Sequence, residues 1–375
     1  MTPDIARAIP GPEWLRIRRV EAAERALSMP MPSTEEEMWR YSRVAEIDFA
    51  RYTYAASAPT VTGSTGNPDG PDEQAPGAPS PDVFAEWNAA LSEPMVLRTR
   101  PGQLVDTAIV LEHSVLDGQA TFPRLVIDAA ADSELTVVER FRSASDVNAL
   151  VSPLVEVRAG AGARVRYLAV NELGSSVMSV AHQLAWAGRD STVTLATIAL
   201  GGDYARVRTE AVATGQGSST RQMALYFADG HQMHDFRTIQ AHEAPRSQSN
   251  LLFKGAVKDT ARSVYTGLIR IAHDAKGSSA FQTNRNLTLS EGAWAESVPN
   301  LDIDTNDVRC SHASTVGPID TEQRFYLESR GVPPEVAERL IVLGFFDEVL
   351  EQMPVPTLAS QLRARVAAKL DGVAV

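Results

Sequence analysis

Cys310 is the one cysteine in 375 residues, and His312 follows two places on, in the stretch DVRCSHASTVG. A thiol and an imidazole at that spacing have three roles open to them. They could ligate a metal, since thiolate and imidazole both suit iron and zinc. They could act as nucleophile and base, with Asp304, Asp307 or Asp320 to orient the ring. They could also be packing, because free cysteine is among the most buried residue types. In a strand, residues two apart face the same side with Cα atoms roughly 6.5–7 Å apart, so the pair can look into one site. No protease-type nucleophile signature surrounds Cys310. A single cysteine cannot form an intrachain disulfide, a four-thiolate iron–sulfur site or an all-cysteine zinc site. Any metal at Cys310 must draw most of its ligands from elsewhere.

A second group of candidate ligands lies in GHQMHDFRTIQAHEAP: His231, His234 and His242, with Asp235 and Glu243. His234 and His242 share strand parity, as does Arg246 further on, so a metal cluster is one reading. The preferred one is plainer: polar residues satisfied at turns and on a solvated sheet face. No G-x-x-x-x-G-K-[ST] phosphate loop occurs, and GQGSST (215–220) lacks the lysine that would reach phosphates. No G-x-G-x-x-G follows a strand. Hydrolysis of ATP and dinucleotide binding by the usual routes are therefore not expected, and any energy input would come from another subunit.

The elements that must position these residues fall into four regions. Residues 1–54 read as an N-terminal helical segment. PEWLRIRRVEAAERALSM is rich in helix formers, Pro30 and Pro32 end it, and STEEEMWRYS restarts a helix with Ser33 or Thr34 as N-cap. Residues 55–82 are crowded with Ala, Gly, Pro, Ser and Thr and read as a flexible linker. Residues 83–320 form the β core. ELTVVERF, ARVRYLAV, STVTLATIAL, RQMALYF, SVYTGLIRI and AFQTNRNLTL are short, β-branched or alternating, with no long helix between them. Several follow similar turns, AGAR, GRDST, GQGSST and KGSS, a loose repeat that fits a β-solenoid. From pattern alone a large sandwich or barrel stays open. Residues 321–375 turn helical again. Asp320 and Gln323 sit at capping positions, Gly331 is a stop, and EVAERLIVLGFFDEVLEQM carries more apolar residues than one stripe needs.

At 44% hydrophobic and 22% charged, the composition is that of a folded chain. The net charge of −12 disfavours nucleic acid and anionic lipid, which recruit lysine and arginine. No stretch reads as a signal or membrane span, and cytoplasmic residence follows by default.

HDFRTIQAHEAPRSQSNLLFKGAVKDTARSVYTGLIRI, AFQTNRNLTLS, SVPNLDIDTNDVRCSHASTVG and EQRFYLESRGV resemble the SufB/SufD family of iron–sulfur cluster assembly scaffolds, most closely its SufD branch. CSH…TVG followed by FYL.SRG is the most specific part, and the resemblance covers nearly all the chain outside the linker. Members often carry Gly where Ala313 stands here. The resemblance implies a right-handed parallel β-helix core between helical ends. It implies a noncatalytic subunit that pairs with SufB through the β-helix and docks the ATPase SufC through its C-terminal helices. Arg330, Val336, Leu340, Leu343, Phe345 and Phe346 are the residues expected at the SufC contact. Cys310 and His312 would then be cofactor and metal ligands at the SufB–SufD interface, holding a transient iron–sulfur cluster shared with SufB. The alternative is a purely structural SufB partner with no cluster ligands. Whether a flavin joins the complex is left open.

Overall fold

The computed structural model describes residues 1–63 and 80–372. The middle of the expected linker, residues 64–79, therefore lies outside the described residues. From Met95 to Gly317 the chain winds as a β-solenoid of about eight turns, each giving one strand to each of two sheets. One sheet runs through Tyr204–Ala213, Met233–His242, Arg262–Ile271 and Trp294–Ile303. The other runs through Ser219–Ala228, Gln248–Val257, Ser278–Thr288 and Val308–Gly317. Arg164 lies opposite Thr192, Thr192 opposite Ser219, Ser219 opposite Gln248 and Gln248 opposite Ser279. One coil thus takes about 30 residues, a solenoid period.

The repeated turns are one corner of successive coils. Asp132, Gly162, Asp190, Gly217, Arg246 and Gly277 all adopt positive φ. Their N–H groups donate upward in series, to Ala161, Arg189, Gln216, Pro245, Lys276 and Asp307 carbonyls. Glycine alternates with a longer side chain, Asp132, Asp190 and then Arg246: a Cβ at Gly162 would meet the Asp132 carboxylate, and one at Gly217 that of Asp190. The parallel pairing excludes the sandwich and the antiparallel barrel, where neighbouring strands would be joined by hairpins.

The interior changes along the axis. Early coils fill it with Leu125, Ile127, Leu135, Val137, Val155, Val157 and Val165. Later coils add Tyr226, Thr238, Gln240, Tyr265, Gln282, Asn284 and Asn286, all buried. These polar groups satisfy one another: Thr238 and Tyr265 share a hydrogen bond at 3.0 Å, and Gln282 donates to the Tyr265 hydroxyl.

Helices cover both outer faces. Helices α1 (Pro3–Ala8), α2 (Glu13–Ser28) and α3 (Val83–Leu91) form one layer. Residues 83–91 were expected to open the β core; instead α3 packs on α1 and α2, with Asp82 as its N-cap. The Asp82 carboxylate also meets His182 at 2.9 Å. Burial pushes its pKa up, but the His182 charge and the helix N–H groups outweigh this and hold it at about 2. The helix expected to start at Ser33 or Thr34 does not form. The capping contacts exist, Ser33 N–H to Glu36 at 2.9 Å and Glu35 N–H to Ser33 Oγ at 3.1 Å, yet only the 3-10 turn Glu37–Trp39 follows. Carbonyls that a helix would use are taken from outside: Arg206 donates to Met38 and Arg237 to Arg40. Arg206 also stacks 3.8 Å above the Trp39 ring, and both arginines pair with the buried Asp235.

On the opposite face lie α4 (Thr321–Ser329), α5 (Pro334–Leu350) and α6 (Ala359–Leu370). Asp320 caps α4 through the N–H groups of Glu322 and Gln323, at 2.8 and 3.2 Å. Gly331, at φ 87°, ends it, as the sequence indicates. Val342, Phe346, Val349 and Leu350 of α5 pack with Leu168, Ile198, Leu225 and Phe227 of the sheet. Lys254 pins α5 by donating to the Phe345 carbonyl at 2.8 Å, and Lys258 pins α6 through Leu370 at 3.0 Å.

Candidate functional site

The last coil, Trp294–Ile303 and Val308–Gly317, has a hydrogen-bonded neighbour on one side only. Its other side presents two rows of unpaired backbone groups. Cys310 lies opposite Ala280, His312 opposite Gln282 and Ser314 opposite Asn284. Ala280, Gln282 and Asn284 are buried, so Cys310, His312 and Ser314 continue the inward row at the mouth of the hollow. Ser314 confirms the direction, donating across the hollow to Ser297 Oγ at 2.6 Å. Ser297 donates to Asn284 at 2.8 Å, and Asn284 donates to the Tyr226 hydroxyl at 3.0 Å. A chain of hydrogen bonds thus joins the polar interior to the open end.

The thiol and the imidazole share this row but not an environment. Cys310 is half-buried beside Val308, against Ile269, Ile271, Ala275 and Ala280. That burial pushes its pKa up, which favours the thiol over the thiolate in the isolated chain. His312 is exposed. Among the described residues, no hydrogen bond or ion pair links His312 to Asp304, Asp307 or Asp320, so the nucleophile–base–orienter reading finds no geometry. Also among them, no three His, Cys, Asp or Glu side chains stand close enough to hold a metal ion. Ala313 keeps an extended backbone, with no positive φ that would demand glycine.

The second histidine group comes apart. His234 and His242 share an inward row but sit eight residues apart on one strand, about 26 Å at strand rise. They cannot share a metal. Nor is their face solvated: both are fully buried inside the solenoid, with His242 bridging Ser247 and Ser249 at 2.7 Å each. His231 stands at a turn, 2.7 Å from Thr260 Oγ1.

The six residues expected to meet SufC divide. Arg330, Val336 and Leu340 are exposed, Phe345 is half-buried, and Leu343 and Phe346 are buried against the chain's own sheet and α6. Those last two cannot reach a partner while α5 stays seated. The structure adds Phe325 at 73% and Tyr326 at 58% exposure, on a helix that buries no residue of its own. Two adjacent aromatics on a helix without a core stripe were the available signal.

Comparison with known proteins places the sequence in a family. Residues 111–345 match the family model for the SUF system FeS cluster assembly SufBD core domain. An iron–sulfur cluster assembly SufBD family protein of Mycobacterium tuberculosis is 30% identical over 360 residues, covering 91% of this chain and 90% of that one. The iron–sulfur cluster assembly protein SufD of Escherichia coli is 29% identical, covering 79% of this chain and 72% of its own. SufD of Bacillus subtilis is 34% identical over 67% of this chain and 58% of its own. On the domain match and the relative spanning nearly all its length, the chain belongs to the SufBD family of iron–sulfur cluster assembly proteins.

Proposed function

We propose that this chain is a SufD-type, noncatalytic scaffold subunit that pairs with SufB through its last coil and docks SufC through α4 and the start of α5. A nascent iron–sulfur cluster, as cargo, would be built between the two solenoids. One observation carries the reading: Cys310 and His312 stand together on the inward row of a coil that has no further coil over it. One sulfur and one nitrogen are too few to retain a cluster and enough to share one. A partner closing the mouth supplies the remaining ligands, and the metal's charge drives off the thiol proton that burial holds in place. Phe325, Tyr326, Val336 and Leu340 are large apolar side chains left exposed on α4 and the start of α5, and Arg330 lies by the Tyr326 ring, which supports the SufC contact.

The half-burial of Cys310 against Ile269 and Ile271 favours a second reading, a structural SufB partner without ligands. Anaerobic copurification of the complex, with iron and sulfide counted, separates the two. Cys310→Ser and His312→Ala are each expected to cut the cluster yield several-fold while the complex stays assembled. Full yield in both variants supports the structural reading and ends the ligand assignment.

A further inference from the structure

A second constellation lies at the other end of the solenoid. Residues 55–59 cross that end before Thr60–Thr62 pairs with Ile109–Ser114, and beside them is a cavity of about 330 Å³. Ser57, His113, Glu139, Arg124, Met95 and Leu111 are among its walls. Ser57 Oγ stands 3.0 Å from His113 Nδ1, and His113 Nε2 stands 2.8 Å from Glu139 Oε1. Tyr167 donates its hydroxyl to the other carboxylate oxygen at 2.6 Å. The His113 ring is stacked on Phe141, 4.9 Å between centroids and 10° from parallel. His113 and Glu139 are 5% and 3% exposed, while Ser57 is half-buried on the crossing segment. The carboxylate accepts from Nε2–H, which leaves Nδ1 with the lone pair that faces the serine hydroxyl. Hydroxyl, base and orienting acid are in line, each within hydrogen-bond reach, on the wall of a cavity large enough for a small ligand.

We propose that Ser57, His113 and Glu139 form an acyl-transfer site that accepts esters of short carboxylic acids. Ser57 Oγ bonds to the ester carbonyl carbon as its proton passes to His113 Nδ1. The carbon–oxygen bond to the alcohol then breaks, and the alcohol leaves with that proton. Water adds to the acyl-serine by the same route, with His113 again taking the proton, and the acid is released. Glu139, fixed by Tyr167, is a positioning residue that favours the imidazolium while it exists. Met95 and Leu111 offer the acyl chain an apolar wall; Arg124, on the same wall, is held by Glu156 and Asn88 and faces the tetrahedral oxygen only through its remaining N–H groups. The assignment does not depend on SufB or SufC.

The test uses the full chain and p-nitrophenyl acetate. The expected result is a burst of p-nitrophenol no larger than one per chain, with an acetyl group located on Ser57 by peptide mass spectrometry. Ser57→Ala, on a half-buried loop, removes both signals. Glu139→Gln, which keeps shape and packing, slows the burst at least about tenfold. Absence of acetyl on Ser57, nitrophenol release unchanged in Ser57→Ala, or acylation at the parent rate in Glu139→Gln would each overturn the assignment. Circular dichroism of each variant confirms that the fold is retained.

Discussion

His242 fills its space in the interior only as a neutral ring, with one serine hydroxyl at each nitrogen. Burial lowers its pKa from 6.5 to about 4. His234, buried and also facing the charge of Lys369, is lowered to about 3. In the unfolded chain both take up a proton near 6.5, so below that pH the unfolded state binds more protons and gains relative to the native state. Stability present above pH 6.5 is therefore lost as pH falls toward 4. Urea midpoints measured across that window are expected to drop steeply for the parent and less steeply for His242→Gln, the remaining slope belonging to His234 and the carboxylates. At pH 7.5 the variant loses about 1–3 kcal/mol, because the serines lose one partner. An unaltered slope in His242→Gln would mean that this ring does not titrate with folding. Sequence alternation placed His234 and His242 on one row correctly. It could not tell an interior row from a solvated one, because in this solenoid Gln, Asn, Thr and Tyr line the interior as well.

Helix α5 shows the same limit at the level of an element. Its caps and length are legible in the sequence, since Pro at the start and the preceding Gly stop are local signals. Which side its wide apolar surface turns to the sheet is not local, and periodicity names faces without naming what covers them. The repeated corner turns AGAR, GRDST, GQGSST and KGSS make a solenoid one reading beside a sandwich or barrel, and the resemblance to the SufB/SufD family decides for the β-helix. Helix α3 went unread, being short and set against linker-like composition. The helix expected at Ser33 failed because two arginines about 170 and 200 residues away claim its carbonyls. The two sides of α5 should separate in a pair of variants. Phe346→Ala is expected to cost about 3–5 kcal/mol, the price of a cavity under a fully buried ring. Leu340→Ala, at a half-exposed position, should change stability by about 0.5 kcal/mol or less. On the proposed docking it should instead weaken SufC binding at least about tenfold, a loss of about 1.4 kcal/mol. Calorimetry on the isolated chain and titration with SufC read the two effects apart. Unchanged SufC affinity would remove the start of α5 from the contact.

The molecule as a whole is a stack with unlike ends. At the N-terminal end, residues 55–59 and the antiparallel strand Thr60–Thr62 cover the first coils. At the other, Trp294–Ile303 and Val308–Gly317 leave ten-residue edges unpaired, with Leu301, Ile303 and Val316 more than a third exposed. Stacked coils gain most of their stability from neighbours, so an open edge is a place where another solenoid can add. Two long open ends would allow a filament; here the first-coil edges, Met95–Arg98 and Thr60–Thr62, are short, which favours pairing at the last coil. Helices on both outer faces leave backbone pairing to the ends of the stack, and the ten-residue edges of the last coil are longer than the four-residue edge Met95–Arg98 at the other end. On the proposed pairing, Ser314 lies in the row that SufB would cover, hydrogen-bonded to Ser297 on the facing strand. Ser314→Lys puts an ammonium group there. In the isolated chain the lysine reaches water, and the melting temperature should move little, as for other exposed substitutions. Under a second solenoid it would be buried without a partner, at a cost of several kcal/mol. Gel filtration with light scattering is therefore expected to show a one-to-one SufB complex for the parent and separate chains for the variant. If the variant complex stays whole at micromolar concentration, the partner does not sit over this row, and Cys310 and His312 lose the cover that would complete their ligand set.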